Sequence, residues 1–164
     1  MVIVRIARLF AIIQLERLAG RLRVHWRHVD VTARHTKVDW ALQVRELLDV
    51  HYPKAVRVIL VSDNLKTHDY ASLYEAFDPA DARRLTARLE MVHTPKHGSW
   101  LNIAEIELNV LARQCLCQMI GDAATLRAQV AAWESERNTK QKGVNWQFTT
   151  ADARTKLKRL YPKI

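Results

Sequence analysis

The sequence predicts an α/β layered domain built on a mixed sheet. Three observations carry that prediction. Short β-branched runs such as Val56–Val61 alternate with segments whose apolar residues recur at helical spacing. Breaks at Tyr52-Pro53 and Asp78-Pro79 separate those segments. No repeat, low-complexity tract or Gly/Ser linker interrupts the alternation.

Taken in order, Val2–Ile13 begins like a strand, while Gln14–Leu22 fits strand or helix equally. Val24–Thr32 alternates, with Val24, Trp26 and His28 set against His25, Arg27, Val29 and Val31, and reads as a strand. Lys37–His51 has a helical period closed by Tyr52-Pro53. Val56–Val61 suits a central, buried strand. Tyr70–Phe77 and Pro79–Arg88 read as short helices and Leu89–His93 as a short strand. Ser99–Met119 reads as a long helix, and Thr125–Arg137 as a further one.

The bulk properties narrow the function classes. At 164 residues and 19.0 kDa, 49% hydrophobic and 26% charged, the chain suits one globular domain and excludes a disordered one. A net charge of +9 and a pI near 9.9 favour a polyanionic partner: nucleic acid first, an anionic membrane surface second. A basic protein with no such partner is the plain alternative. Cys115 and Cys117, one residue apart in the long helix, project to different sides, which argues against a disulfide or a zinc site and fits a reducing cytoplasm. Met1–Ile13 is apolar but broken by Arg5 and Arg8, too short and too charged for a membrane span or a signal peptide.

Lys140–Ile164 differs in character, with seven Lys/Arg (Lys140, Lys142, Arg154, Lys156, Lys158, Arg159, Lys163) against one acid, Asp152. Thr149 or Thr150 can cap a short basic helix through Leu160, and Trp133, Trp146 and Phe148 can anchor it to the body. Such a segment is either a solvated face or a set of phosphate contacts, which confer affinity without sequence preference.

Two segments carry candidate chemistry, Asp63-Asn64-Leu65-Lys66-Thr67-His68 and His93–Glu105. Both follow strands, and ligands of open α/β sheets collect at the carboxyl ends of strands. A carboxylate at Asp63, closing an apolar run, is costly to bury unless paired or metal-bound, and Asn64 and His68 can hydrogen-bond it. The other reading is an Asx turn leading into a helix near Thr67. Ser99 is a natural N-cap; behind it Leu101, Ala104, Leu108, Leu111 and Cys115 form a core face, while Asn102, Glu105 and Asn109 form a polar stripe. Glu105 can then face Asp63, whereas Glu107 is rotated away and expected in solvent. Pro95 prevents His93 and His97 from forming a one-faced helical zinc pair with His68. Lys96 and His97 are better phosphate donors, and Trp100 a packing or base-stacking group, with core packing favoured.

Asp63-Asn64 followed by His68, then Thr94-Pro95-Lys96-His97-Gly98-Ser99-Trp100-Leu101-Asn102 and Glu105, resembles the DDE transposases of bacterial insertion sequences related to mariner elements. The resemblance runs from about Trp26 to Pro162 and includes Thr149-Thr150-Ala151-Asp152-Ala153-Arg154. It implies a ribonuclease-H-like mixed sheet with flanking helices, a DNA substrate, and strand nicking followed by strand transfer at a site holding two Mg²⁺ or Mn²⁺ ions. By resemblance Asp63 matches the second acid and Glu105 the third, with Asn64, His68 and Asn102 supporting them. Lys96, His97, Lys156, Lys158 and Arg159 are the expected nucleic-acid contacts. Two metal ions about 3.5–4 Å apart clamp the attacking and leaving oxygens of an in-line displacement, and three acids suffice to hold them.

The family's first acid, on the first strand, has no counterpart here: Met1–Arg23 contains one acid, Glu16, in an unrelated context. Asp30 and Asp39 map to a later strand and to a helix start. The expected organisation is an atypical segment 1–23, a partial DDE catalytic domain 24–139 with its first strand missing or replaced, and a helical basic extension 140–164. Two functions follow. One is a transposase fragment, inactive alone; the other is a non-catalytic DNA-binding or regulatory protein, pairing with itself or with a full-length transposase. A nucleoid-associated bacterial cytoplasmic protein, with no membrane attachment, fits both.

Overall fold

The computed structural model describes residues 26–93, 103–140, 152, 154 and 155, with side chains of the helix that begins at 103 described from 106 onward. Helix α1 (Lys37–Glu46) starts at a capping box: the Thr36 hydroxyl accepts from Asp39 N–H, and the Asp39 carboxylate accepts from Thr36 N–H at 2.7 Å. It runs into a π-turn over Leu47–His51. Strand β1 (Val58–Ser62), helix α2 (Tyr70–Ala76), helix α3 (Pro79–Arg88) and strand β2 (Leu89–His93) follow. Asp78 caps α3 by accepting from Ala80 and Asp81 N–H, and Pro79 occupies the first turn, where a missing N–H costs nothing. Helices α4 (Ile103–Gln114) and α5 (Ala123–Thr139) complete the described elements.

β1 and β2 pair in parallel, Val58 opposite Leu89 and Ser62 opposite His93. Parallel pairing requires a crossover, which α2 and α3 provide. The Tyr70 hydroxyl donates to Leu89 O at 3.0 Å and accepts from Met91 N–H at 3.1 Å, so a phenol fills the place of a neighbouring strand on β2. Arg88 closes the connection from α1 to β1 with hydrogen bonds to the carbonyls of Leu48, Tyr52, Pro53 and Ala55 and an ion pair to Asp49. Arg84 holds the same Asp49 carboxylate bidentately at 2.7 and 2.9 Å.

Two apolar cores result among the described residues. The first joins α1, the π-turn, β1, α2, α3 and β2 around Val44, Leu48, Val58, Leu60, Leu73 and Leu85. The second joins the coil at Val29 and Val31 to α4 and α5 through Leu111, Cys115, Leu126, Val130 and Trp133. These layers form the α/β arrangement expected of a ribonuclease-H-like domain.

Several expectations are corrected. Residues 26–32 are extended, with Arg27, Val29 and Val31 buried in alternation, yet they form no strand among the described residues. Their backbone pairs with side chains of α5: Arg27 N–H with Asn138, Val29 N–H with Glu134, and Asn138 Nδ2 with Arg27 O. Period-two burial reports an extended chain, not its partner. β1 is buried on one face only: Val58, Leu60 and Ser62 point inward, while Ile59 and Val61 are exposed. α4 ends at Gln114, not Met119, so Cys115 and Cys117 lie past its end, the first buried and the second exposed, both free. The atypical segment 1–23 and nearly all of the basic extension lie outside the described residues.

Candidate active site

Asp63 leaves the carboxyl end of β1, and the parallel register brings Ser62 level with His93 at the end of β2. β1 and β2 therefore end at the same end of the sheet, with Asp63 directly after β1. Behind Asp63 the chain turns tightly. His68 N–H donates to Leu65 O at 2.9 Å, and the buried Ser72 hydroxyl donates to Thr67 O at 2.9 Å. That turn returns the His68 ring to Asp63, with Nδ1 2.7 Å from Oδ1. A carboxylate only accepts, so Nδ1 carries the proton and Nε2 is the bare nitrogen. Trp40 of α1 stacks on the ring at 5.7 Å, and His93 Nε2 donates to His68 O at 3.2 Å.

Burial pushes the His68 pKa down, and the neighbouring Asp63 carboxylate offsets only part of that, leaving it below its ordinary value. His68 is thus a neutral imidazole at pH 7 that orients Asp63 without neutralising it. Asp63 is half-buried, and its Oδ2 makes no hydrogen bond among the described residues. The buried hydroxyl of the preceding Ser62 also lacks a hydrogen-bond partner among the described residues. A hard oxygen donor, oriented by an outer hydrogen bond and open on one side, fits one carboxylate ligand of Mg²⁺ or Mn²⁺.

A family model described as DDE superfamily endonuclease matches residues 18–127, a span that includes Asp63, His68 and Glu105. This chain belongs to the DDE superfamily endonucleases. No curated protein and no solved structure matches it. DDE superfamily nucleases use divalent metal ions and act on DNA, so the domain is transposase-like in its chemistry and DNA is its substrate class. No helix among the described residues is long and apolar enough to cross a membrane.

Of the other expected DDE residues, Asn64 is exposed beside Asp63, and Glu105 stands in the first turn of α4, its side chain outside the described residues. Asn102, Lys96, His97, Lys156, Lys158 and Arg159 also lie outside them. Asp39 closes the capping box of α1 by accepting from Thr36 N–H, and Asp30 accepts from Gln43 Nε2 at 2.7 Å.

Glu107 corrects the expectation of a solvent-exposed side chain. It is only 2% exposed and pairs with Arg27 at 2.7 Å and Arg137 at 3.0 Å. Burial alone would push its pKa up, but the two guanidinium groups outweigh burial and hold it below its ordinary value. The signal was in the spacing, since Glu107 stands four residues before Leu111 and eight before Cys115, on the core stripe. It positions the helix that carries Glu105.

Proposed function

We propose that this chain is a transposase domain of the mariner-related insertion-sequence group in which Asp63 and Glu105 serve as two of three metal-binding carboxylates. The observation that carries this reading is Asp63 at the carboxyl end of β1, held by neutral His68 beside the register-matched end of β2. Two divalent ions, when bound, would supply charge stabilisation for an in-line phosphoryl displacement. Asp63 and Glu105 would hold them, with Asn64, His68 and Asn102 orienting those acids. Met1–Arg23 offers only Glu16, in a context unlike the family's first acidic motif. We therefore assign segment 1–23 no catalytic part, segment 24–139 the partial catalytic domain, and segment 140–164, with Lys156, Lys158 and Arg159, phosphate contact alongside Lys96 and His97. The expected result with a DNA end and Mg²⁺ or Mn²⁺ is no cleavage by this chain alone. Metal-dependent cleavage that disappears in Asp63→Ala and Glu105→Ala would overturn the expected inactivity, whereas cleavage that persists in both variants would overturn the assignment of these two acids.

The net charge of +9 favours a second role that needs no cutting: a nucleoid-associated DNA-binding or regulatory protein, self-associated or paired with a full-length transposase. DNA affinity should then fall steeply between low and physiological salt. Salt-insensitive or undetectable binding at low ionic strength would refute that role.

A further inference from the structure

A second group of ligating side chains lies away from Asp63, where the coil carrying Trp26 and His28 meets the C-terminal end of α1. One ligand atom each from His28, Glu46 and His51 lie within 4.8 Å of one another. Glu46 Oε1 is 3.6 Å from His51 Nε2 and 3.9 Å from His28 Nε2. Trp40, which stacks on His68, stands three helical turns before His51, so this cluster is roughly 16 Å along the helix from the Asp63 site.

Residues five apart on a straight α-helix point about 140° away from each other. Here the π-turn over Leu47–His51, closed by Tyr52 N–H on Leu47 O at 2.9 Å, winds more widely and turns His51 back toward Glu46. Such turns recur at functional sites. His28 Nδ1 lies 3.3 Å from Glu134 Oε1, which makes Nδ1 the donor and, in the neutral imidazole, leaves Nε2 bare on the side of Glu46. A carboxylate behind an imidazole is the outer-shell arrangement that accompanies metal-bound histidine. His51 Nε2 is sealed from solvent and makes no hydrogen bond among the described residues. Trp26 stacks on His28 at 5.7 Å and tilts over His51 at 4.6 Å, while the part-exposed Glu46 leaves a way in.

We propose that His28, Glu46 and His51 form a binding site for a divalent d-block cation, for which Zn²⁺ is the natural probe. Two imidazoles and a carboxylate are a known three-ligand set for zinc, with water as the fourth ligand. Nitrogen donors disfavour Mg²⁺ and Ca²⁺, which take oxygen. Zinc bonds of about 2.0–2.2 Å place neighbouring ligand atoms roughly 3.3 Å apart, so the 3.6 and 3.9 Å pairs need only small side-chain rotations. Glu46 and Glu134 supply two negative charges to match the ion. The ion ties the coil to α1 and, through Glu134, to α5, linking the two cores. Without metal, the hydrogen bond to Glu134 holds the His28 pKa above its ordinary value against burial, so protons compete with the metal as pH falls.

The full chain, stripped with a chelator, is titrated with Zn²⁺ by calorimetry and with Co²⁺ by visible absorption. Glu46→Gln, His51→Gln and Asp63→Asn are treated alike, each checked for folding by circular dichroism. The expected result is one Zn²⁺ per chain, an intense low-coordinate Co²⁺ spectrum insensitive to excess Mg²⁺, and binding weakened more than tenfold in Glu46→Gln and His51→Gln but kept in Asp63→Asn. If those two variants fail to fold, the Co²⁺ spectrum of the unaltered chain and its retention in Asp63→Asn decide. No Zn²⁺ binding, a pale six-coordinate Co²⁺ spectrum, loss of the site in folded Asp63→Asn, or unchanged affinity in the two cluster variants would overturn the proposal. None of these outcomes depends on nuclease activity.

Discussion

Replacing Glu107 by alanine tests whether one carboxylate holds the second core together. The side chain is 2% exposed and lies between the guanidinium groups of Arg27 at 2.7 Å and Arg137 at 3.0 Å. Its removal leaves two cations facing a buried void without a counter-charge. Breaking a buried ion pair from one side costs about 3–5 kcal/mol, against a total stability of about 5–15 kcal/mol for a domain. At roughly 2–4 °C per kcal/mol for a chain of this size, Glu107→Ala should lower Tm by about 6–20 °C. The control removes all three charges, as Arg27→Met, Glu107→Leu and Arg137→Met together. Apolar replacement of a whole buried ionic group is often neutral or better, so the triple variant should be more stable than Glu107→Ala. Thermal unfolding followed by circular dichroism checks both. A Glu107→Ala loss under about 1 kcal/mol, or a triple variant no better than the single one, would refute the reasoning. The pH sign follows from the lowered carboxyl pKa. Its contribution is complete above the unfolded value of about 4.3 and is lost as pH falls through the folded value, so wild type and Glu107→Ala should converge in acid.

Other consequences can be checked directly. Arg88→Ala should cost about 2–4 kcal/mol in urea unfolding, because hydrogen bonds to a charged group are each worth about 1.5–3 kcal/mol and several loop carbonyls lose theirs. Arg88→Lys should recover only part of this, since an ammonium cannot reproduce the planar fork. The His68 pKa, already below its ordinary value, should fall further in Asp63→Asn, because the carboxylate that raises it is gone; an NMR titration of the ring reads this directly. The fold favours neutral His68, so its contribution to stability is full above the unfolded pKa of about 6.5 and declines as pH falls through that value toward the lower folded one.

The sequence made some parts of this fold plain and hid others for identifiable reasons. α3 and β2 were legible to the residue, because Asp78-Pro79 combines a side-chain cap with a proline that needs no N–H partner, and the apolar period changes at Leu89. The pairing of Asp63 with His68 was also legible, because the ring returns over a five-residue turn. Partners far apart in sequence were not. Arg27 meets Glu107 across 80 positions, and the extended coil meets Asn138 across 111, with no local pattern naming either partner. The π-turn was hidden too. Leu47–His51 continues the apolar period of α1, and a widened turn changes which residues share a face without changing composition.

The phenol of Tyr70 gives the sheet a direction of growth. A bare strand edge invites any extended chain to pair with it, and natural proteins cover such edges. On β2 the hydroxyl of Tyr70 already serves both Leu89 O and Met91 N–H, so a strand arriving there would have to displace it. The sheet is thereby closed at the β2 end, and any further strand, from this chain or from another, has to join beside β1, next to Asp63.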